Sequence, residues 1–140
     1  MSDTTQYRKP LSTIPTDLVS VADYARYAPA FIPHAIMEYI AGGGADELSL
    51  KRNRSALDAL QILPRALVDC TAGGTHTQVL GERLRHPLLL APVAFQTLVH
   101  PEGELATADA ASVLETGMVT STLSSVSLEA IAARCSAPKW

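Results

Sequence analysis

Residues 87–104 read PLLLAPVAFQTLVHPEGE. The stretch opens on a short, wholly apolar run, Leu88-Leu89-Leu90-Ala91, set between Pro87 and Pro92. A continuous apolar run bounded by breakers predicts a strand covered on both faces. The chain then passes through Pro92-Val93-Ala94-Phe95-Gln96 and reaches His100-Pro101-Glu102-Gly103-Glu104, where a helical pattern begins. Pro101 suits a first helical position, and Glu102 and Glu104 suit a first turn. A strand, a loop of small residues and a helix form the unit that builds ligand sites at the C-terminal ends of parallel strands. The fold class is therefore α/β.

Downstream, residues 101–116 predict a helix with Leu105, Ala108, Ala111 and Leu114 at steps of three. Its small residues allow close packing on a sheet. Gly117 is expected to end it, and Met118-Val119-Thr120-Ser121 to form a second buried strand. Ser127 is placed to cap a last helix through residue 134. One helix between two strands implies parallel pairing with a right-handed crossover.

Upstream, residues 75–80 and 83–85 flank Gly81-Glu82 and read as a small hairpin, after an extended piece at 61–63. Three helices precede them. The first spans 21–28, capped by Ser20 and ended by Pro29. The second spans 33–41, starting on Pro33 and stopped by Gly42-Gly43-Gly44, with Ile36, Tyr39 and Ile40 on one face. The third spans 46–60, with Asp46 and Glu47 as capping charges. The expected organisation is a flexible polar tail over 1–17, helices and hairpin over 18–86, and two βα units over 87–140.

Composition excludes several functions. The net charge is −3, and the densest basic cluster, Lys51, Arg52 and Arg54, falls on a presumed solvated helix face, which argues against nucleic-acid binding. Cys70 and Cys135 are isolated, so neither a metal site nor a redox pair is expected; they read as reduced thiols of a cytoplasmic protein. The N-terminus has no apolar core of a secretion signal. No run of about 18 apolar residues exists to span a membrane.

The string Ala91-Pro92-Val93-Ala94, followed by HPEGE at residues 100–104, resembles the first barrel strand and loop of the FMN-dependent α-hydroxy-acid oxidases and dehydrogenases. Glycolate, lactate and hydroxymandelate oxidases belong to that family. The resemblance runs over residues 21–140 and implies part of a (β/α)8 TIM barrel with FMN as cofactor. Such a barrel takes about 250 residues. The chain is thus expected to be the N-terminal part of a longer enzyme, with Trp140 falling where a third barrel strand begins.

The resemblance also implies roles. Pro92, Val93 and Ala94 would hold the flavin edge, with the Ala94 amide near N5. Ser121 would contact the flavin ring. Tyr39, ahead of Ala41-Gly42-Gly43, would donate its hydroxyl to the substrate carboxylate. Leu123 would line the substrate side-chain pocket, where glycolate oxidases carry tryptophan; the smaller residue leaves room for a mandelate-like acid.

Each residue has a plainer reading. The loop at 92–94 serves as an ordinary strand-to-helix connection. Tyr39 is a half-buried aromatic on an apolar face. The hydroxyls of residues 121–127 cap the next helix. His100 is structural, within a string that starts the helix holding the loop.

Oxidising a 2-hydroxy acid needs a base for the hydroxyl proton and a cation for the carboxylate. The family supplies a histidine and two arginines on later barrel elements, and His34, His76, His86 and His100 match none of them. No catalytic residue is therefore assigned in this chain. The expected function is oxidation of a small 2-hydroxy acid to the 2-oxo acid by hydride transfer to FMN in a full-length homo-oligomeric enzyme. The 140 residues alone are expected to be inactive. Two alternatives stay open. One is a truncated non-catalytic chain. The other is a different FMN barrel enzyme, such as a flavin-dependent isopentenyl diphosphate isomerase, against which Tyr39 and HPEGE argue.

Overall fold

The computed structural model describes residues 11–140. The expected tail lies outside the described residues up to Pro10. The chain forms two compact units, one ending at Arg65 and one running Ala66–Trp140.

In the first unit a 3-10 turn at Val21–Asp23 leads into α1 (Tyr24–Tyr27) and a second 3-10 turn at Ala28–Ala30. The single helix expected over 21–28 is therefore broken, and Pro29 sits inside the second turn rather than ending the first. Its missing N–H costs nothing in the opening of a turn. Ser20 is the N-cap of the first turn, as expected, in a reciprocal capping box with Asp23. The Asp23 carboxylate accepts from the Ser20 amide and hydroxyl, both at 2.8 Å, and from the Val19 amide at 3.1 Å. Those bonds, the Ser20 hydroxyl first, hold the Asp23 carboxyl below the usual carboxylate range.

Helix α2 (His34–Ala41) ends where the Gly42 amide donates to the Glu38 carbonyl at 2.9 Å. A Cβ on Gly42 would lie 2.5 Å from that same oxygen, so the glycine is a steric requirement of this helix end. Helix α3 spans Leu48–Asp58, shorter than the 46–60 expected. Glu47 has φ +56 and its carboxylate reaches back to accept from the Gly43 amide at 3.1 Å. Asp46 offers its carbonyl to Lys51 Nζ at 3.3 Å. Neither carboxylate caps α3; Glu47 instead closes the glycine turn before it. No described residue of this unit is buried.

The second unit begins with a hairpin, β1 (Thr77–Val79) and β2 (Glu82–Leu84), paired antiparallel with Thr77 opposite Leu84. Leu80 and Gly81 both have positive φ, +50 and +89. A two-residue loop of that kind matches the right-handed twist of the strands. The turn thus sits one residue earlier than the Gly81-Glu82 expected from the sequence.

Next come β3 (Leu89–Leu90), α4 (Gly103–Leu114), β4 (Gly117–Met118) and α5 (Leu128–Arg134). Strands β3 and β4 pair in parallel, Leu89 with Gly117 and Leu90 with Met118, as the βα pattern predicted. A third parallel partner starts beside β4. Met118 bridges Lys139, the Trp140 amide donates to the Met118 carbonyl at 3.0 Å, and the Thr120 amide to the Trp140 carbonyl at 2.7 Å. Among the described residues the sheet is open and does not close into a barrel.

The core lies between this sheet and its helices: Ala108, Ala111, Met118, Ile131, Cys135 and Ala137, with Leu90 and Val126 against them. Two expectations need correction here. Among the described residues strand β3 is covered on one face only, and its alternating side chains divide between that face and an open one. Leu90 meets the core, while Leu88 and Leu89 stay 65% and 42% exposed. On α4 the buried stripe is Glu104, Ala108 and Ala111, at i, i+4 and i+7. Steps of three slip by about 60° each against a 3.6-residue period, so Leu105 and Leu114 point about half a turn apart. Leu114 is accordingly 61% exposed. The helix stops at Glu115, φ +51, and Gly117 enters β4 instead of capping α4.

Polar clamps join these elements. Arg134 forks onto Asp109 with bonds of 2.5 and 2.6 Å, tying α5 to α4. Arg85 pairs with Glu115, and Thr116 Oγ1 donates to the Leu88 carbonyl at 2.7 Å. The Arg134 guanidinium, by its hydrogen bond first, holds the Asp109 carboxyl below the usual range. A depressed folded value means stability that is present above the unfolded carboxyl value and lost as pH falls through the folded one. The Tm difference between wild type and Asp109→Asn is therefore expected to be positive at neutral pH and to vanish in acid. Both side chains are largely exposed, so the difference is small. A gap that persists below the carboxylate range would assign it to packing.

Candidate functional site

The loops that leave the C-terminal ends of β3 and β4 lie side by side. The first, residues 91–102, turns at Phe95, φ +52, and makes a 3-10 turn at Gln96–Leu98. Its end is closed by the Gly103 amide on the His100 carbonyl at 2.9 Å and the Glu102 amide on His100 Nδ1 at 3.3 Å. The second, residues 119–127, is tightened by the Ser124 amide on the Ser121 carbonyl at 3.2 Å. Ser127 caps α5, accepting from the Ala130 amide at 3.3 Å, as expected.

Three links join the loops. The Phe95 amide donates to the Leu123 carbonyl at 3.0 Å, and the Thr97 amide to Ser125 Oγ at 3.3 Å. The third is Glu104, in the first turn of α4 and only 1% exposed. Its Oε1 accepts from the Gln96 amide at 3.2 Å and from the Ser125 amide at 2.8 Å. Along the chain Glu104 reads only as a first-turn charge. Its place at i, i+4, i+7 with Ala108 and Ala111 is the signal that marks it as inward-facing.

Of the residues singled out from the sequence, Pro92 and Val93 are exposed and Ala94 is half-buried. Among the described residues the amides of Val93 and Ala94 have no protein acceptor. Ser121 is half-buried; its Oγ accepts from the Leu123 amide at 3.1 Å, which leaves its O–H to donate. The Leu123 side chain is 53% exposed. These five residues share one end of the β3–β4 pair. Tyr39 belongs to α2 of the first unit and is 59% exposed, more open than the half-buried aromatic its helix face suggested.

The donor set suits a planar ring whose edge carries hydrogen-bond acceptors: two amides without a protein acceptor among the described residues, one hydroxyl, and small side chains that permit close approach. Neither loop contains a lysine or arginine. These loops therefore offer donors to a flat polar ring and no cationic side chain to a phosphate. Of the histidines, only His100 lies in them, with Nδ1 engaged by Glu102. His76 lines a cavity of about 580 Å³ with Arg83, Arg85, Glu115 and Ser136, near the N-terminal end of β3 and away from these loops. Among the described residues no group of three His, Cys, Asp or Glu is placed to hold a metal. No helix among them is long and apolar enough to cross a membrane.

A family model described as FMN-dependent dehydrogenase matches residues 28–140. The chain belongs to this family. FMN is thus the family's cofactor. An L-lactate oxidase of Alicycliphilus denitrificans is 44% identical over 131 residues, covering 94% of this chain and 36% of the relative. A 4-hydroxymandelate oxidase of Amycolatopsis orientalis is 47% identical over 115 residues, 82% of this chain and 32% of the relative. Among solved structures, mandelate oxidase with benzoyl-formic acid superposes with a TM-score of 0.81 at 45% identity, over 87% of this chain and 36% of that one. A mandelate oxidase mutant carrying a C4a-OH-FMN adduct superposes with a TM-score of 0.78 at 44% identity, over 84% of this chain and 36% of that one. The chain spans about a third of the length of the relatives it matches.

Proposed function

We propose that the protein carrying this chain oxidises a 2-hydroxy acid to the 2-oxo acid with FMN. The observation that carries the reading is the pair of amides at Val93 and Ala94 without an acceptor among the described residues, on the loop linked to that of Ser121 at the strand ends of an FMN-dependent family member. FMN, when bound, supplies the acceptor for the hydride from the substrate's α-carbon. A backbone donor at a ring edge that gains negative charge stabilises that step, which is the role we assign to the Ala94 amide. Pro92 and Val93 shape the same edge, and Ser121 donates to the ring. Leu123 lines the pocket for the substrate side chain, and its size favours an acid bulkier than glycolate. Tyr39 donates to the substrate carboxylate.

The base and the cations that the reaction needs lie, in this reading, outside the 140 residues, which alone turn over no substrate. Residues 18–86 then precede the barrel, and residues 87–140 are its first two βα units. The free thiols of Cys70 and Cys135 support a cytoplasmic setting.

The test is the intact mass of the native product together with its visible spectrum. A product heavier than 14.9 kDa, with a flavin band that bleaches on adding a 2-hydroxy acid, is the expected result. A flavin-free native protein would sink the reading. In the active protein, Tyr39→Phe should lower kcat/KM about tenfold, the low end for a hydrogen bond to a charged group at a side chain this exposed. An unchanged kcat/KM would remove Tyr39 from the substrate site.

A further inference from the structure

Glu104 is a charged side chain buried to 1% exposure on a helix whose other buried positions are small. Burying a carboxylate is costly unless its oxygens are satisfied. Here only Oε1 is engaged, by two backbone amides, while Oε2 is buried with no partner among the described residues. A first-turn charge whose only task is to complement the helix dipole works as well in solvent. Glu104 instead extends inward and meets two separate loops, 8 and 21 residues away along the chain. One of these loops carries Ala94 two residues before Gln96, and the other carries Ser121 four residues before Ser125.

We infer that Glu104 is a positioning residue that sets the spacing of the Ala94 and Ser121 loops and so the shape of the surface offered to the flavin ring. The inference rests on the proposal that FMN binds at these loops. A single oxygen shared by two amides makes the separation of the loops depend on the reach of one side chain from α4. Length is therefore the critical property of this side chain, more than charge.

Two substitutions separate length from charge. Glu104→Gln keeps the reach and an acceptor oxygen but loses the charge. Glu104→Asp keeps the charge but is one methylene too short to serve both amides. Both are made in the native, full-length protein carrying this sequence. Amide hydrogen exchange at Gln96 and Ser125 is measured without added ligand, with Met118 and Ile131 as reference amides. FMN affinity is then measured by the flavin band of the bound form.

For a positioning role, Asp speeds exchange at Gln96 and Ser125 by about tenfold and weakens FMN binding by a similar factor, while Gln leaves both within about threefold of wild type. The reference amides hold in both variants. The reverse order, Asp tolerated and Gln not, would reduce Glu104 to a helix-terminal charge and overturn the inference. Loss of protection at all four amides alike would also overturn it, as a general loss of stability. Faster exchange at Gln96 and Ser125 with unaltered FMN affinity would overturn the positioning role while leaving the flavin reading intact. Failure of the flavin reading itself shows separately, as wild-type protein that takes up no FMN.

Discussion

Ile131→Ala is expected to lower the unfolding free energy by about 2–5 kcal/mol, the range for truncating a fully buried aliphatic side chain. Ile131 is 1% exposed and is one of the few large side chains in its cluster. Its neighbours Ala108, Ala111 and Ala137 are small because α4 and the segment before the third strand approach closely. Small side chains near a rigid backbone have no slack with which to refill a hole, so the cavity term stays and the cost should fall in the upper half of that range. Leu128, on the same helix but 55% exposed, provides the control, and Leu128→Ala should stay within about 0.5 kcal/mol of wild type. Denaturant unfolding of the native protein measures both. Equal losses from the two substitutions would mean that α5 does not bury the face described.

Gly103→Ala should cost about 2–4 kcal/mol, combining a left-handed backbone with a steric clash. Gly103 opens α4 with φ +47. A Cβ there would lie 2.8 Å from Thr97 Cγ2 and 3.2 Å from the Thr97 backbone nitrogen. Thr97 is β-branched and stiff about χ1, and it sits in the 3-10 turn of the first loop, so relief requires the turn to move. The two contributions separate in a double-mutant cycle. Thr97→Ser removes the obstructing methyl and should restore the clash part of the loss but not the backbone part. A Gly103→Ala protein as stable as wild type would show that the turn yields freely.

Both substitutions bear on the site through α4, which carries Gly103 and Glu104 in succession. The HPEGE string thus contains three separate devices: His100 closes the loop, Gly103 permits the tight entry, and Glu104 reaches the second loop. Read along the chain, only the helix start is visible. Bonds from Glu104 to residues 8 and 21 positions away leave no periodic trace except the inward phase shared with Ala108 and Ala111.

The order of elements and the parallel pairing of β3 with β4 were legible along the chain, and the family resemblance added the place near Trp140 where a third strand begins. The chain also carried the family, through Ala91-Pro92-Val93-Ala94 and HPEGE. The order and the pairing follow from local chemistry: breakers delimit short apolar runs, and a helix between two strands admits one common connection. Packing in three dimensions settled which face of β3 is covered, which stripe of α4 is buried, that Glu47 closes the glycine turn before α3, and that the hairpin turns at Leu80-Gly81. Each of these depends on where a hydrogen-bond partner or a packing surface stands in space. A chain read in order shows which groups need a partner, while folding settles which distant group provides it.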